Sequence, residues 1–233
     1  MKVLCIIPAR KGSKGIKNKN IIKIKKKILF YYSIEFAQKL KFINKIIFSS
    51  DSKEYIKKAK KFKNIHLSLR PKKYSKDHSL MVDYVKYQLK DEKENGNIYD
   101  LVLLLQVTCP FRNHSNFEKA YKVLKSKKFD SVITINKAKD HPNRLKKYKK
   151  GNLVNYLQKL KTEDLKPRQK LSQIFARSGS MYFFRTSLPI KKNTLVGTKT
   201  YGIKVSGKYA INIDDYNDLV LAKHFANRRK KLN

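Results

Sequence analysis

Acidic residues are scarce in this chain: 17 Asp+Glu stand against 56 Lys+Arg, a formal net charge of +39 over 233 residues. Such an imbalance ordinarily points to nucleic acid or an anionic membrane as partner. The lysines are spread along the whole chain beside abundant Ile and Asn, and no aromatic RNP-type strand accompanies them. The charge therefore predicts steering of anions without specific nucleic-acid recognition. Cysteine is nearly absent as well. Cys5 and Cys109 offer neither a disulfide framework nor a metal cluster, which suits a reducing cytoplasm. A catalytic thiol at Cys109 would need a histidine partner that the sequence does not assign. Long apolar runs are missing: Val3 to Ile7 is too short to cross a membrane and lacks signal-peptide composition, so membrane insertion is not expected. With no internal repeat and no low-complexity linker, residues 1–233 read as a single domain with a generous core.

What is present is concentrated near the N-terminus. The apolar run Val3 to Ile7 has the character of a parallel strand covered on both faces, and it ends at Pro8. A basic loop follows, in which Gly12 and Gly15 permit a tight turn and close approach to a phosphate. Arg10, Lys14, Lys17 and Lys19 add charge there, and Ser13 adds a hydroxyl. The loop fits neither the Walker pattern nor the dinucleotide fingerprint, and a solvated basic turn is its alternative reading.

Further along, helical spacing covers Ile28 to Leu40, Ser79 to Lys90 and Asn116 to Ser126, with a helix start at Asp51-Ser52. Strand patterns cover Lys45 to Ser49, Asn64 to Leu69, Asp100 to Gln106 and Ser131 to Asn136. This alternation predicts an α/β fold with a mostly parallel sheet and helices on both faces. From about 140 to 176 the pattern breaks into basic, polar sequence, read as an insertion. Its Leu153, Tyr156, Leu157 and Leu160 form an apolar stripe suited to a homodimer interface or to internal packing. Alternation resumes at Ser180 to Phe184 and Tyr201 to Val205. An extended segment from Ala210 to Ile213 then leads into a last helix from Tyr216 to about Ala226, with Asp215 as its N-cap, and a basic tail follows.

In a doubly wound sheet the ligand crevice lies past the C-terminal ends of the strands. There this chain places Arg10 to Asn20, Ser50-Asp51, Arg70-Pro71 with Ser75 and Asp77, and Gln106-Val107-Thr108-Cys109-Pro110-Phe111-Arg112. Asp140-His141-Pro142, Pro167-Arg168-Gln169, Arg177-Ser178-Gly179-Ser180-Met181-Tyr182 and Ile211-Asn212-Ile213-Asp214 follow in order. Taken together, Ile-Pro-Ala-Arg-x-Gly-Ser-Lys-Gly-Ile with Lys19-Asn20 and these later segments resembles the acylneuraminate (nonulosonate) cytidylyltransferases, the CMP-sialic acid synthetase type. The chain departs from that family's pattern at Val107, Cys109, Ser178 and Asn212, where Pro, Ser, Asn and a carboxylate are usual.

The resemblance implies a three-layer, Rossmann-like nucleotidyltransferase with a dimerisation insertion, and an activity coupling CTP to an acidic nonulosonic acid to give a CMP-sugar and pyrophosphate. It assigns Ala9, Arg10, Gly12, Ser13, Lys19, Asn20, Arg70 and Asp77 to the nucleotide, and Gln106, His141, Arg168, Arg177 and Tyr182 to the sugar. Arg10, Lys19 and Asp214 take the catalytic roles. Asp214 and Asn212 would hold Mg²⁺ or Mn²⁺, with the amide expected to bind the cation more weakly than a carboxylate. A CMP-Kdo synthetase or another sugar nucleotidyltransferase is the near alternative, and a basic nucleic-acid-binding protein the alternative of another class.

Overall fold

The computed structural model describes residues 1–12, 15–157 and 167–227. Seven strands form the main sheet: β1 Val3–Pro8, β2 Lys45–Ser50, β3 His66–Leu69, β4 Leu101–Leu104, β5 Ser131–Lys137, β6 Phe175–Arg185 and β7 Thr200–Lys204. Their spatial order is β7-β5-β6-β4-β1-β2-β3. All neighbouring pairs are parallel except those made by β6, which runs antiparallel between β4 and β5. The chain leaves β1 toward β2 and β3 on one side and returns to β4 on the other. A switch point therefore opens between the C-terminal ends of β1 and β4, where such sheets receive ligands.

Helices cover both faces, which is why β1 and β4 are apolar at every position. Val3, Cys5 and Ile7 of β1 pack with Phe30 and Ile34 of α1 (Leu29–Gln38), Tyr55 of α2 (Lys53–Ala59) and Phe117 of α4 (His114–Lys125). Leu4 and Ile6 point the other way, onto Tyr84 and Leu89 of α3 (Met81–Glu94) and Leu188 of α5 (Ser187–Lys192). Side chains alternate across a strand, so one apolar hexapeptide supplies both cores. Ser52 begins α2 by accepting from the Tyr55 N–H, and Asn113 begins α4 by accepting from the Ser115 N–H.

The expected extended segment at Ala210–Ile213 is corrected by the structure. Gly207–Ala210 is a 3₁₀ turn, and among the described residues no strand forms between Thr200–Lys204 and the last helix, α6 (Tyr216–Asn227). Thr200–Lys204 already closes that edge of the sheet, so residues 211–214 run as a loop tied to the β4 side through Ile213 N–H to the Thr108 carbonyl, 2.9 Å. Asp215 does cap α6. Its Oδ1 accepts from the Asp218 N–H at 2.9 Å, while Asp218 Oδ2 accepts from the Asp214 and Asp215 N–H groups. The region read as an insertion contains an antiparallel hairpin, Lys146–Lys149 with Asn152–Asn155, beyond a 3₁₀ turn at Pro142–Arg144. Strand β6 starts at Phe175, ahead of the expected Ser180, and its register shifts between Arg177 and Tyr182.

Candidate active site

Beyond Pro8 the backbone of β1 continues one residue, with the Ala9 N–H on the Ser49 carbonyl at 2.8 Å. Ala9 is fully buried in the core and forms the floor below the loop. The loop then folds back on itself: Gly12 turns at φ +87°, the Lys11 N–H reaches Asp51 Oδ1 at 2.7 Å, and Asn20 Nδ2 donates to the Arg10 carbonyl at 2.7 Å. Gly15 is a matter of space, because a Cβ there would collide with the Asp214 carbonyl oxygen. Glycine thus lets the basic loop lie against the 211–214 segment, which is distant in sequence.

The result is a cleft of about 330 Å³ at the switch point, lined by Arg10, Lys19, Asn20, Arg70, Gln106, Asn212 and Asp214 together with Pro8, Met81, Val107 and Thr108. Lys19 Nζ lies 3.0 Å from Asp214 Oδ1, and Arg10 Nη1 lies 2.7 Å from Asp77 Oδ1. Opposite charges thereby hold the two cations at the mouth in defined positions. Arg70 is 4% exposed and donates from Nε to Ser49 Oγ at 3.3 Å; burial pushes its pKa down from the ordinary arginine value.

The segment after β4 is braced by Arg112. This guanidinium donates to the carbonyls of Gln106 and Ser180 and to Ser33 Oγ, which ties the loop to β6 and α1, and its desolvation lowers its pKa to about 10. Gly179, at φ +79°, lets β6 pass so close that a Cβ would stand 2.5 Å from Gln106 Oε1. Beneath lies Cys109, fully buried, its thiol pushed up to about 11 by desolvation. A thiol that stays protonated is a donor and a poor nucleophile, so the geometry gives no support to thiol catalysis. Its Sγ lies 3.5 Å from Asn212 Oδ1, and Asn212 Nδ2 donates to Asp214 Oδ2. The amide orientation follows from the Asp214 carboxylate, which needs a donor; the thiol lies equally close, at 3.5 Å, to Asn212 Oδ1 and to the Ser178 carbonyl.

Of the residues assigned to the sugar, Gln106 lines this cleft, while His141, Arg177 and Tyr182 stand elsewhere. His141 lines a separate cavity of about 320 Å³ with Lys137, Gln169 and Ser172, where its Nδ1 accepts from the Asn143 N–H and its Nε2 lies 3.4 Å from Ser172 Oγ. Arg177 is exposed on β6 opposite Ile135, and Tyr182 is half-buried between Leu104 and Ile133. Burial raises the Tyr182 pKa, with the charge of Arg177 opposing. Ser178, at the position where Asn is usual, is buried and donates to Thr134 Oγ1 at 2.7 Å, so it turns away from the cleft. Ser13, Leu160 and the side chain of Arg168 lie outside the described residues. Met81 escaped the sequence reading because a methionine opening a helix reads as core. Among the described residues no helix is long and apolar enough to cross a membrane.

The fold and the cleft define a nucleotidyltransferase-type α/β protein. The chain belongs to the cytidylyltransferase family, whose pattern it matches over residues 4–209. It is 25% identical over 222 residues to N-acylneuraminate cytidylyltransferase of Streptococcus agalactiae serotype III (strain NEM316), covering 94% of this chain and 52% of that relative. It thus spans about half of that protein's length. Pseudaminic acid cytidylyltransferase of Campylobacter jejuni subsp. jejuni serotype O:23/36 (strain 81-176) is 30% identical over 226 residues, 96% of this chain and 95% of the relative. Among solved structures, a CMP:2-keto-3-deoxy-manno-octonic acid synthetase complexed with CTP superposes with TM-score 0.68 at 14% identity, over 97% of this chain and 98% of that one. At that identity the likeness speaks for the fold, whose mostly parallel, three-layer form was expected from the sequence.

Proposed function

We propose that this chain transfers a cytidylyl group from CTP to an acidic nonulosonic acid of the sialic, legionaminic or pseudaminic type. The observation that carries the reading is the convergence of Arg10, Lys19, Arg70, Gln106 and Asp214 on one cleft, in a chain whose relatives are named for N-acylneuraminate and pseudaminic acid. In the reaction the anomeric 2-hydroxyl of the sugar forms a bond to the α-phosphorus, the bond from that phosphorus to the bridging oxygen breaks, pyrophosphate leaves, and the hydroxyl proton passes to solvent. Arg10 and Lys19 counter the triphosphate charge, and their pairing with Asp77 and Asp214 holds them ready for it. Gln106 presents a neutral amide to the sugar, which Gly179 keeps close to β6.

A divalent cation fits the donor set in a limited way. Asp214 offers a carboxylate with its side chain 66% exposed, while the neighbouring amide of Asn212 is engaged on either side. Mg²⁺ or Mn²⁺ would be held by Asp214 together with the nucleotide's own phosphates, and would offset charge on the leaving group. We propose further that the chain works as a homodimer in the cytoplasm. The hairpin exposes Tyr148 (75%), Leu153 (67%) and Tyr156 (52%), an apolar surface that a second copy would cover.

The test is pyrophosphate release from CTP over a panel of neuraminic, legionaminic, pseudaminic and Kdo acids. Turnover with one or more of the first three supports the reading. Release with Kdo alone would replace the acceptor, and release with none would remove the function.

A further inference from the structure

Among the described residues, Arg70 Nη2 is a buried donor without a hydrogen-bond partner, and its side chain lines the cleft. A buried donor left unpaired is costly, so this one marks a place where a ligand atom is to come. The rest of the residue is well anchored. The Arg70 N–H bonds the Ser50 carbonyl at 2.8 Å, Nε bonds Ser49 Oγ, and the guanidinium carbon lies 4.1 Å from the centroid of the Tyr84 ring.

Tyr84 is fully buried on α3 and is itself fixed from behind. Its hydroxyl donates to Gln88 Oε1 at 2.9 Å, Ser68 Oγ reaches the same oxygen at 3.3 Å, and Gln88 Nε2 donates to Asp91 Oδ2 at 3.2 Å. An aromatic face suits this place for a physical reason. A carboxylate under Arg70 would neutralise it and occupy its N–H groups, whereas a ring face stabilises the cation and leaves the edge donors available.

We propose that Tyr84 is a positioning residue for the nucleotide: its ring supports the Arg70 guanidinium beneath the cleft so that Nη2 meets an acceptor oxygen of the bound nucleotide. The inference rests on the CTP-dependent function proposed above and deepens it. The acceptor is either a carbonyl oxygen of the base or a phosphate oxygen, and the two sources separate experimentally.

The experiment is calorimetric titration of the full chain with CTP, cytidine and tripolyphosphate, alongside steady-state kinetics. Tyr84→Leu should weaken CTP binding and raise the KM for CTP about tenfold, the scale of a desolvated cation–ring contact, while the KM for the sugar stays within about twofold. Tyr84→Phe, which keeps the ring, should bind CTP within about threefold of the unaltered protein. If the affinity for cytidine falls, the acceptor is on the base; if that for tripolyphosphate falls, it is on the phosphates. Unchanged CTP affinity in Tyr84→Leu, or a Phe variant as damaged as the Leu variant, would overturn the role of Tyr84. Should Tyr84→Leu not fold, the decision passes to two variants: Tyr84→Phe must retain CTP binding and Arg70→Lys, which loses the planar edge, must lose it. Failure of the unaltered protein to bind CTP would overturn the functional reading together with this one, a result distinct from binding that is indifferent to Tyr84.

Discussion

The two ends of the candidate site are built differently. At the end proposed for the nucleotide, the side chains lie past the C-terminal ends of β1 and β3 and each has a fixed partner: Lys19 to Asp214, Arg10 to Asp77, Arg70 to Ser49, Asn20 to the Arg10 carbonyl. At the end proposed for the sugar, His141 lines its own cavity apart from the cleft, and Arg177 stands on an irregular stretch of β6. Lys19 has 11% of its side chain exposed, whereas Tyr148 on the hairpin is 75% exposed. One end is tied down by contacts within a single chain. The other exposes an apolar surface, which the homodimer proposed above would cover.

The largest effects are expected where the tied-down end is broken. Arg10→Ala and Lys19→Ala each remove a cation from the mouth of the cleft and should lower kcat/KM for CTP by roughly 10²–10³, the usual scale for losing one preorganised electrostatic contact. Near-normal turnover at saturating CTP in a folded Arg10→Ala protein would mean that the loop does not act on the triphosphate.

Breaking the other end should separate assembly from nucleotide binding. Leu153→Asp with Tyr148→Ser places charge and polarity on the hairpin's apolar face, and light scattering should then report a monomer. The KM for the sugar should rise by about tenfold or more, as expected when positioning contacts are lost, with CTP affinity retained. A dimer that survives these changes, or an unaltered protein that is already monomeric, would assign the hairpin to another role.

Where β6 crosses the two ends, Gly179→Ala offers a graded perturbation. The added methyl group meets Gln106 Oε1 and the residue must hold φ +79°, so a loss of about 1–3 kcal/mol in stability is expected. Thermal unfolding measures it, and the sugar KM should rise more than that for CTP if Gln106 faces the acceptor. An unchanged melting temperature would show that β6 relaxes freely there.

The same contrast explains what was legible in the sequence. The two strands flanking the switch point are apolar on both faces, so Val3 to Ile7 and Leu101 to Leu104 announce themselves as continuous runs, and polar residues just beyond them are found by position alone. The segment at 210–213 misled because Ala-Ile-Asn-Ile alternates like a strand. Whether it pairs depends on which edge of the sheet is already closed, and Thr200–Lys204 had closed it. The direction of β6 was equally invisible, since an antiparallel strand inside a covered sheet has the same apolar pattern as a parallel one. Tyr84 was passed over because an aromatic at helical spacing is ordinary core; only the guanidinium stacked on it distinguishes the position.

The smallest effect concerns Asn212, which stands where a carboxylate is usual. Its amide donates to Asp214, while its oxygen shares the Cys109 thiol with the Ser178 carbonyl. Asn212→Asp would keep the acceptor for the thiol but turn an oxygen toward the Asp214 carboxylate, setting two like charges side by side, with Lys19 as a single cation against them. In metal-free buffer the variant should therefore melt a few degrees lower, a loss of about 0.5–1 kcal/mol for an exposed like-charge pair. Added Mg²⁺ should reverse the sign, because two carboxylates hold a hard cation better than one. The variant should thus gain more melting temperature from Mg²⁺ than the unaltered protein does, and should need less Mg²⁺ for half-maximal rate. Asp214→Asn, with no carboxylate left at the pair, should show neither response. Equal Mg²⁺ stabilisation of all three proteins would remove this pair from any role in holding the cation.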